Sequence, residues 1–218
     1  EYAGNPSVAE VDAILHRAAE SQSDFCRRHG LTDAPILALI PGSRVGEIRN
    51  NLWVMTEVAS RHPQVQAVIA GAPDIPDSMY RQYTSLPIVR DETVELMHRA
   101  TAALVTSGTA TLECALTGTP QVACYRSSGS RITYAIMSRW LKIKYVTLPN
   151  LIVDAPIIPE MLMHHCNPEE VDRRLRPLLT DTPERTAQLE GYDRMRRLLG
   201  TTDPAHTTAA DIYHRLRG

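Results

Sequence analysis

The sequence predicts an α/β fold, a Rossmann-like parallel sheet with helices on both faces and a helical C-terminal tail. Three observations carry this. Short continuous apolar runs recur at 36–40, 65–70, 88–89, 102–106 and 121–125. Such runs suit strands buried on both faces, not the alternating pattern of a half-exposed sheet. Helical or turn-rich stretches separate them, the arrangement that builds parallel sheets. Beyond Cys166 a capping residue followed by Pro occurs three times, at Asn167-Pro168, Thr182-Pro183 and Asp203-Pro204, each a helix start.

The elements follow in order. Ser7 and Glu10 form a capping-box pattern, with Val11, Ile14, Leu15 and Ala18 at helical spacing and Gly30 as the stop, so one helix is expected ahead of the first strand. Val45, Ile48, Leu52, Met55 and Ala59 make one apolar stripe closed by Pro63. Two more helices are expected over 93–100 and 108–117, the second ended by Gly118 with Pro120 just beyond. After Tyr125 come a basic aromatic segment over 131–144 and an apolar, Pro-punctuated stretch over 145–159. The expected organisation is a linker over 1–7, a ligand-binding domain over 8–166 and the helical tail over 167–218. Glu1 in place of Met and the linker-like Tyr2-Ala3-Gly4-Asn5-Pro6 create the expectation that a further domain precedes them.

Composition narrows the function. The 218 residues are 43% hydrophobic, enough for one substantial core. With 23 basic and 25 acidic residues the formal net charge is −2, so no global field draws nucleic acid, and any anion site must be local. Cys26, Cys114, Cys124 and Cys166 lie far apart without zinc spacing, which favours reduced thiols in a cytoplasmic setting. His164-His165-Cys166 reads as a surface cluster, because adjacent residues rarely converge on one ion; no metal and no cofactor is expected. No apolar run approaches the roughly 20 residues of a membrane span.

Two loops fall at the carboxyl ends of expected strands, where open α/β sheets bind ligands. In the first, Pro41-Gly42-Ser43-Arg44-Val45-Gly46-Glu47, Gly42 permits a tight turn, helix amides face outward and Arg44 offers a guanidinium fork for phosphate. In the second, Ser107-Gly108-Thr109-Ala110-Thr111-Leu112-Glu113, a small, hydroxyl-rich first turn lets a diphosphate approach the amides. Glu113, six residues on, lies about 9 Å along the helix axis, within reach of ribose hydroxyls. Each loop also has a purely conformational reading, in which Gly42 and Ser43 serve a strand-to-helix turn, Ser107 and Thr109 cap a helix, and Glu113 is solvated. Neither loop matches the dinucleotide or P-loop fingerprint, and Lys142 and Lys144, the only lysines, are distant from both.

In matching order, Pro41-Gly42-Ser43-Arg44 with Glu47-Ile48, Ser107 to Glu113, Gly118-Thr119-Pro120, Tyr125-Arg126, Lys144-Tyr145 with Leu148-Pro149-Asn150-Leu151, and Pro159-Glu160 resemble the lipid-A-disaccharide synthase family of GT-B glycosyltransferases. The ordered set covers nearly the whole chain. The resemblance implies the C-terminal domain of a GT-B enzyme that joins UDP-2,3-diacylglucosamine to 2,3-diacylglucosamine 1-phosphate, releasing UDP. It implies that this half holds the UDP-sugar donor without a metal, while the N-terminal domain supplies much of the acylated glucosamine phosphate acceptor site and the general base. On that basis Ser107, Gly108, Thr109 and Thr111 are expected at the diphosphate, Glu113 at the ribose, Arg44 at phosphate or leaving-group charge, and Gly42 and Ser43 as secondary phosphate contacts. Asn150 either lines the same cleft or is a turn residue bonding its own backbone.

The family is associated with homodimers, and its acylated substrates imply peripheral contact with the cytoplasmic face of the inner membrane. Arg131, Tyr134, Met137, Arg139, Trp140, Lys142 and Lys144 form a mixed cationic and amphipathic segment that suits such contact, though a core-packing helix with a solvated basic face is the reading slightly preferred. Three alternatives remain open on the sequence: a peptidoglycan N-acetylglucosaminyltransferase or UDP-N-acetylglucosamine 2-epimerase, a non-catalytic nucleotide-binding module, and a dinucleotide-binding oxidoreductase domain.

Overall fold

The computed structural model describes residues 4–17, 20–106, 108–126 and 144–200. Six parallel strands form one sheet in the order β3-β2-β1-β4-β5-β6: β1 Ile36–Ile40, β2 Gln66–Gly71, β3 Ile88–Arg90, β4 Ala100–Val105, β5 Gln121–Tyr125 and β6 Glu160–Leu162. This is the doubly wound order in which the chain reverses direction across the sheet between β1 and β4. Every residue of β1 is buried, as its unbroken apolar run requires.

The helices sort by face. Leu37 and Leu39 of β1 point into one core with Ile48, Leu52, Met55 and Val58 of α3 (Val45–Ser60), and with Met79 and Tyr80 of the short α4 (Asp77–Tyr80). Ile36, Ala38 and Ile40 point the other way, against Phe25 and Cys26 of α2 (Gln22–Arg28) and Leu96 and Met97 of α5 (Thr93–Arg99). A third core joins α1 (Pro6–Arg17), α6 (Gly108–Leu116), α7 (Leu148–Val153) and α9 (Pro183–Leu199) through Val11, Leu112, Val153, Tyr192 and Met195.

Several expectations are corrected. The single leading helix is two: Ser21 accepts the amide of Asp24 at 3.1 Å and starts α2 afresh. Nor does Ser7 cap α1; Asn5 does, its Oδ1 accepting the Ser7 amide at 3.0 Å ahead of Pro6. The stretch over 145–159 contains α7, and a sixth strand follows it, held at the sheet edge where the Ala123 amide donates to Pro159 O at 2.9 Å.

The helices after Asn167 complete the layers. Val171 and Leu175 of α8 (Pro168–Leu175) join the α3 core, and buried Asp172 meets His62 at 2.6 Å. Gln188 of α9 clasps the β5 backbone, accepting the Gln121 amide at 2.6 Å and donating to its carbonyl at 3.0 Å. The expected helix at Asp203-Pro204 and the basic aromatic segment from Arg131 to Lys142 lie outside the described residues, as do Glu1 to Ala3.

Candidate functional site

The two loops singled out from sequence leave adjacent strands side by side. Ile40, the last residue of β1, is paired with Val105 of β4, and the Thr106 amide donates to Ile40 O at 2.8 Å just before both chains exit the sheet. They then part: α3 packs on one face and α6, through Cys114, on the other. That divergence marks the switch point, the place at the carboxyl ends of the strands where doubly wound sheets bind ligands.

On the β1 side, Gly42 has φ +112°, and a Cβ there would lie 2.4 Å from Glu47 Oε2 and 2.6 Å from Glu47 Cβ. Only glycine fits both the backbone angle and the close approach. The Glu47 carboxylate turns back to accept the Ser43 amide at 3.0 Å and pairs with Arg44 Nη1 at 3.3 Å. Glu47 thus already answers part of the positive potential at the start of α3. Arg44 stands at the helix N-cap with 82% of its side chain exposed, free to swing toward an anion.

On the β4 side, Ser107 lies outside the described residues. A Cβ on Gly108 would meet nothing within 4 Å, and Thr109 is exposed, so the first turn of α6 is open to approach. Thr111 is buried and its hydroxyl donates to Gly108 O at 2.6 Å, so its proton is committed inside the helix.

Glu113 lines an open cleft of about 570 Å³ with Glu10 and Arg17 of α1, Gly71 at the end of β2, Pro73 beyond it, and Asp91 after β3. Its half-buried carboxyl is pushed above the ordinary carboxylate range, first by burial and then by repulsion from Glu10. Burial and the neighbouring acid both disfavour its ionised form, so the carboxylate gains from any donor or cation that enters the cleft.

Asn150 is engaged within its own turn. It is 1% exposed; its Nδ2 donates to Ile158 O and Glu160 Oε1, both at 2.9 Å, and its Oδ1 accepts the Ile158 amide at 2.8 Å. This is the self-bonding turn reading, extended by Glu160, whose carboxylate also accepts the Val146 and Thr147 amides. The same carboxyl edge carries Arg126, its guanidinium 5.1 Å above the Trp53 ring and its amide donating to Asn51 Oδ1 at 2.8 Å.

Sequence reasoning missed Glu47 and Glu10 as members of the site. Glu47 had a signal, since it stands three residues after the N-cap Arg44, the spacing of a capping carboxylate. Glu10 had none, because only the packing of α1 against α6 brings it opposite Glu113. Among the described residues no group of three or more His, Cys, Asp or Glu side chains is arranged to hold a metal ion. His165 instead pairs with Glu170 at 2.8 Å, and Cys166 is buried.

Comparison with solved structures gives the class. The chain superposes on the calicheamicin glycosyltransferase CalG4 with a TM-score of 0.52 at 17% identity, over 84% of this chain and 43% of that one. It superposes on trehalose-6-phosphate synthase OtsA with a TM-score of 0.50 at 12% identity, over 94% and 48%. The fold is that of the GT-B glycosyltransferases. The family model for lipid-A-disaccharide synthetase matches residues 11–210. The lipid-A-disaccharide synthase of Myxococcus xanthus is 36% identical over 225 residues, 99% of this chain and 57% of that protein. That of Rhodospirillum centenum is 31% identical over 216 residues, 91% and 53%.

The chain belongs to the lipid-A-disaccharide synthase family. It spans a little over half the length of these curated relatives. Membership sets aside the peptidoglycan transferase, epimerase and oxidoreductase alternatives. No helix among the described residues is long and apolar enough to cross a membrane.

Proposed function

We propose that this chain is the donor-binding half of an inverting glycosyltransferase that joins UDP-2,3-diacylglucosamine to 2,3-diacylglucosamine 1-phosphate, forming the lipid A disaccharide and UDP. The observation that carries the reading is the pairing of Ile40 with Val105, which brings the Gly42 loop and the start of α6 out of the sheet together. In this reading the diphosphate lies in the crevice between them, met by Gly42, Ser43, Ser107, Gly108 and Thr109. The nucleoside extends toward the Glu113 cleft, where the carboxylate accepts ribose hydroxyls.

A sugar leaves a nucleoside diphosphate only when charge developing on the departing phosphate is stabilised. Helix amides and a guanidinium can do this without a metal. Arg44 takes that role because it is exposed and, among the described residues, tethered by the Glu47 pair alone. When the diphosphate binds, Arg44 exchanges one carboxylate partner for a more highly charged one. Thr111 and Asn150 act as positioning residues, the first by fixing the turn of α6 and the second by fixing α7 against β6.

The general base and much of the acceptor site belong, on this reading, to the remaining length of the family's proteins, and the isolated chain does not turn over. A homodimer and peripheral contact with the cytoplasmic face of the inner membrane accompany the same reading; liposome sedimentation with and without anionic lipid tests the second.

Calorimetric titration of the chain with UDP, UDP-N-acetylglucosamine and NADH tests the donor assignment. Binding of both uridine ligands and not NADH is expected, with Arg44→Ala weakening UDP roughly tenfold, the scale of one charge-assisted contact. NADH binding without UDP binding, or disaccharide formation by the chain alone, overturns the reading.

A further inference from the structure

Three buried polar side-chain atoms among the described residues have no hydrogen-bond partner: Arg99 Nε, Thr106 Oγ1 and Gln121 Oε1. Two belong to groups otherwise engaged. Arg99 donates through its other nitrogens to the carbonyls of Glu95 and Glu20, and Gln121 donates through Nε2 to Thr111 O and to the Tyr192 hydroxyl. Thr106 differs, because its one polar side-chain atom is idle while the residue is only 1% exposed. Native structures rarely leave a buried hydroxyl so.

Its place gives the vacancy a meaning. The ladder between β1 and β4 continues through the Thr106 amide to Ile40 O, so strand alternation still holds at that residue. Ala103 and Val105 pack in the core with α5, whereas Ala102 and Leu104 pack in the core with α3. Thr106, next in the alternation, presents its side chain on the α3 side, the side to which the Gly42 loop turns. Two residues later α6 begins, with its first turn open above Gly108. A buried, unpaired hydroxyl therefore ends the strand at the switch point, two residues before α6 and on the side to which the Gly42 loop turns.

We propose that Thr106 is a further binding residue, whose hydroxyl donates to a phosphate oxygen of the nucleoside diphosphate held between the two junctions; this rests on the nucleotide reading above. A phosphate oxygen supplies the acceptor that the fold itself withholds. The hydroxyl adds a neutral donor beneath the charged and backbone donors, positioned by the sheet and not by a loop.

Calorimetry with UDP on the 218-residue chain, its Thr106→Val and Thr106→Ser variants, together with thermal melts of all three, tests this. T106V replaces an unpaired hydroxyl with a methyl of similar size, so it melts at or above the wild-type temperature yet binds UDP roughly five- to tenfold more weakly. T106S restores affinity to within about twofold, the donor being retained. Unchanged affinity in T106V overturns the contact and assigns the hydroxyl to an internal water. A T106V chain that misfolds or melts well below wild type also overturns it, since the hydroxyl then serves the fold. Failure of the unchanged chain to bind UDP overturns the nucleotide reading itself and takes this contact with it.

Discussion

Glu47 folds back over the start of α3 so that one carboxylate oxygen accepts the Ser43 amide at 3.0 Å while the other meets Arg44 Nη1 at 3.3 Å. The loop thus carries its own anion, and the same pair of donors is what an incoming phosphate would compete for. Gly42 makes room for this turn, and the consequences can be measured.

Gly42→Ala places a Cβ against Glu47 at a positive φ of +112°. The expected cost is about 1–3 kcal/mol of stability, read as a lower urea midpoint. Because part of the cost is collision with Glu47, the G42A/E47A double variant recovers some of it, a non-additivity expected of neighbours. Strict additivity would mean that the Glu47 carboxylate adds nothing to the cost, leaving it to the backbone angle and to the Cβ contact that alanine retains.

Glu113 predicts a trade between stability and binding. Its folded pKa is raised above the ordinary 4.5 by burial and by Glu10. A raised carboxyl binds its proton more tightly in the folded state, so the protein loses stability as pH rises from about that ordinary value through the raised one. Glu113→Gln removes this loss and raises the melting temperature at pH 7, with the difference vanishing in acid below the ordinary value. The same variant weakens UDP binding by about three- to tenfold. A variant that melts lower at neutral pH would place Glu113 in an unrecognised stabilising pair.

Asp172 has the opposite sign. Burial pushes its carboxyl up, but hydrogen bonds from His62 and Arg176 outweigh that and hold it below the ordinary 3.8. Its contribution to stability is therefore present above that value and lost as pH falls through the lowered one. Asp172→Asn should cost about 2–4 kcal/mol at pH 7, the scale of breaking a buried pair. Denaturant titrations at pH 7 and at low pH should show the gap from wild type closing in acid. A gap that persists there would mean that packing and not ionisation carries the effect.

The parts legible in the sequence were those that repeat a simple pattern. Strands such as Ile36–Ile40 are continuous apolar runs, and α3 keeps its stripe from Ile48 to Val58. The start of α2 was written in Ser21 and Asp24 but hidden inside a longer apolar period. Strand β6 escaped because Glu160–Leu162 is three residues long and opens with a glutamate whose carboxylate serves α7. Its strand character comes from the neighbouring edge of β5 and not from its own residues. Both junctions of the candidate site were readable from Gly42 and Gly108, since glycine and small residues between a strand and a helix carry a geometric message. What was not readable is what long-range packing decides, such as Glu10 facing Glu113, or the idle hydroxyl of Thr106 inside an apolar run.

The most direct measurement is a UDP titration followed by amide chemical shifts on the isotopically labelled chain. If the diphosphate lies at the switch point, the amides of Gly42, Ser43, Gly108 and Thr109 move together along one saturation curve, while those of His62 and Gly118, at the opposite edge of the sheet, stay still. Saturable shifts that cluster around His62 and Asp172, or that leave the Gly42 and Gly108 amides unmoved, would contradict the assignment.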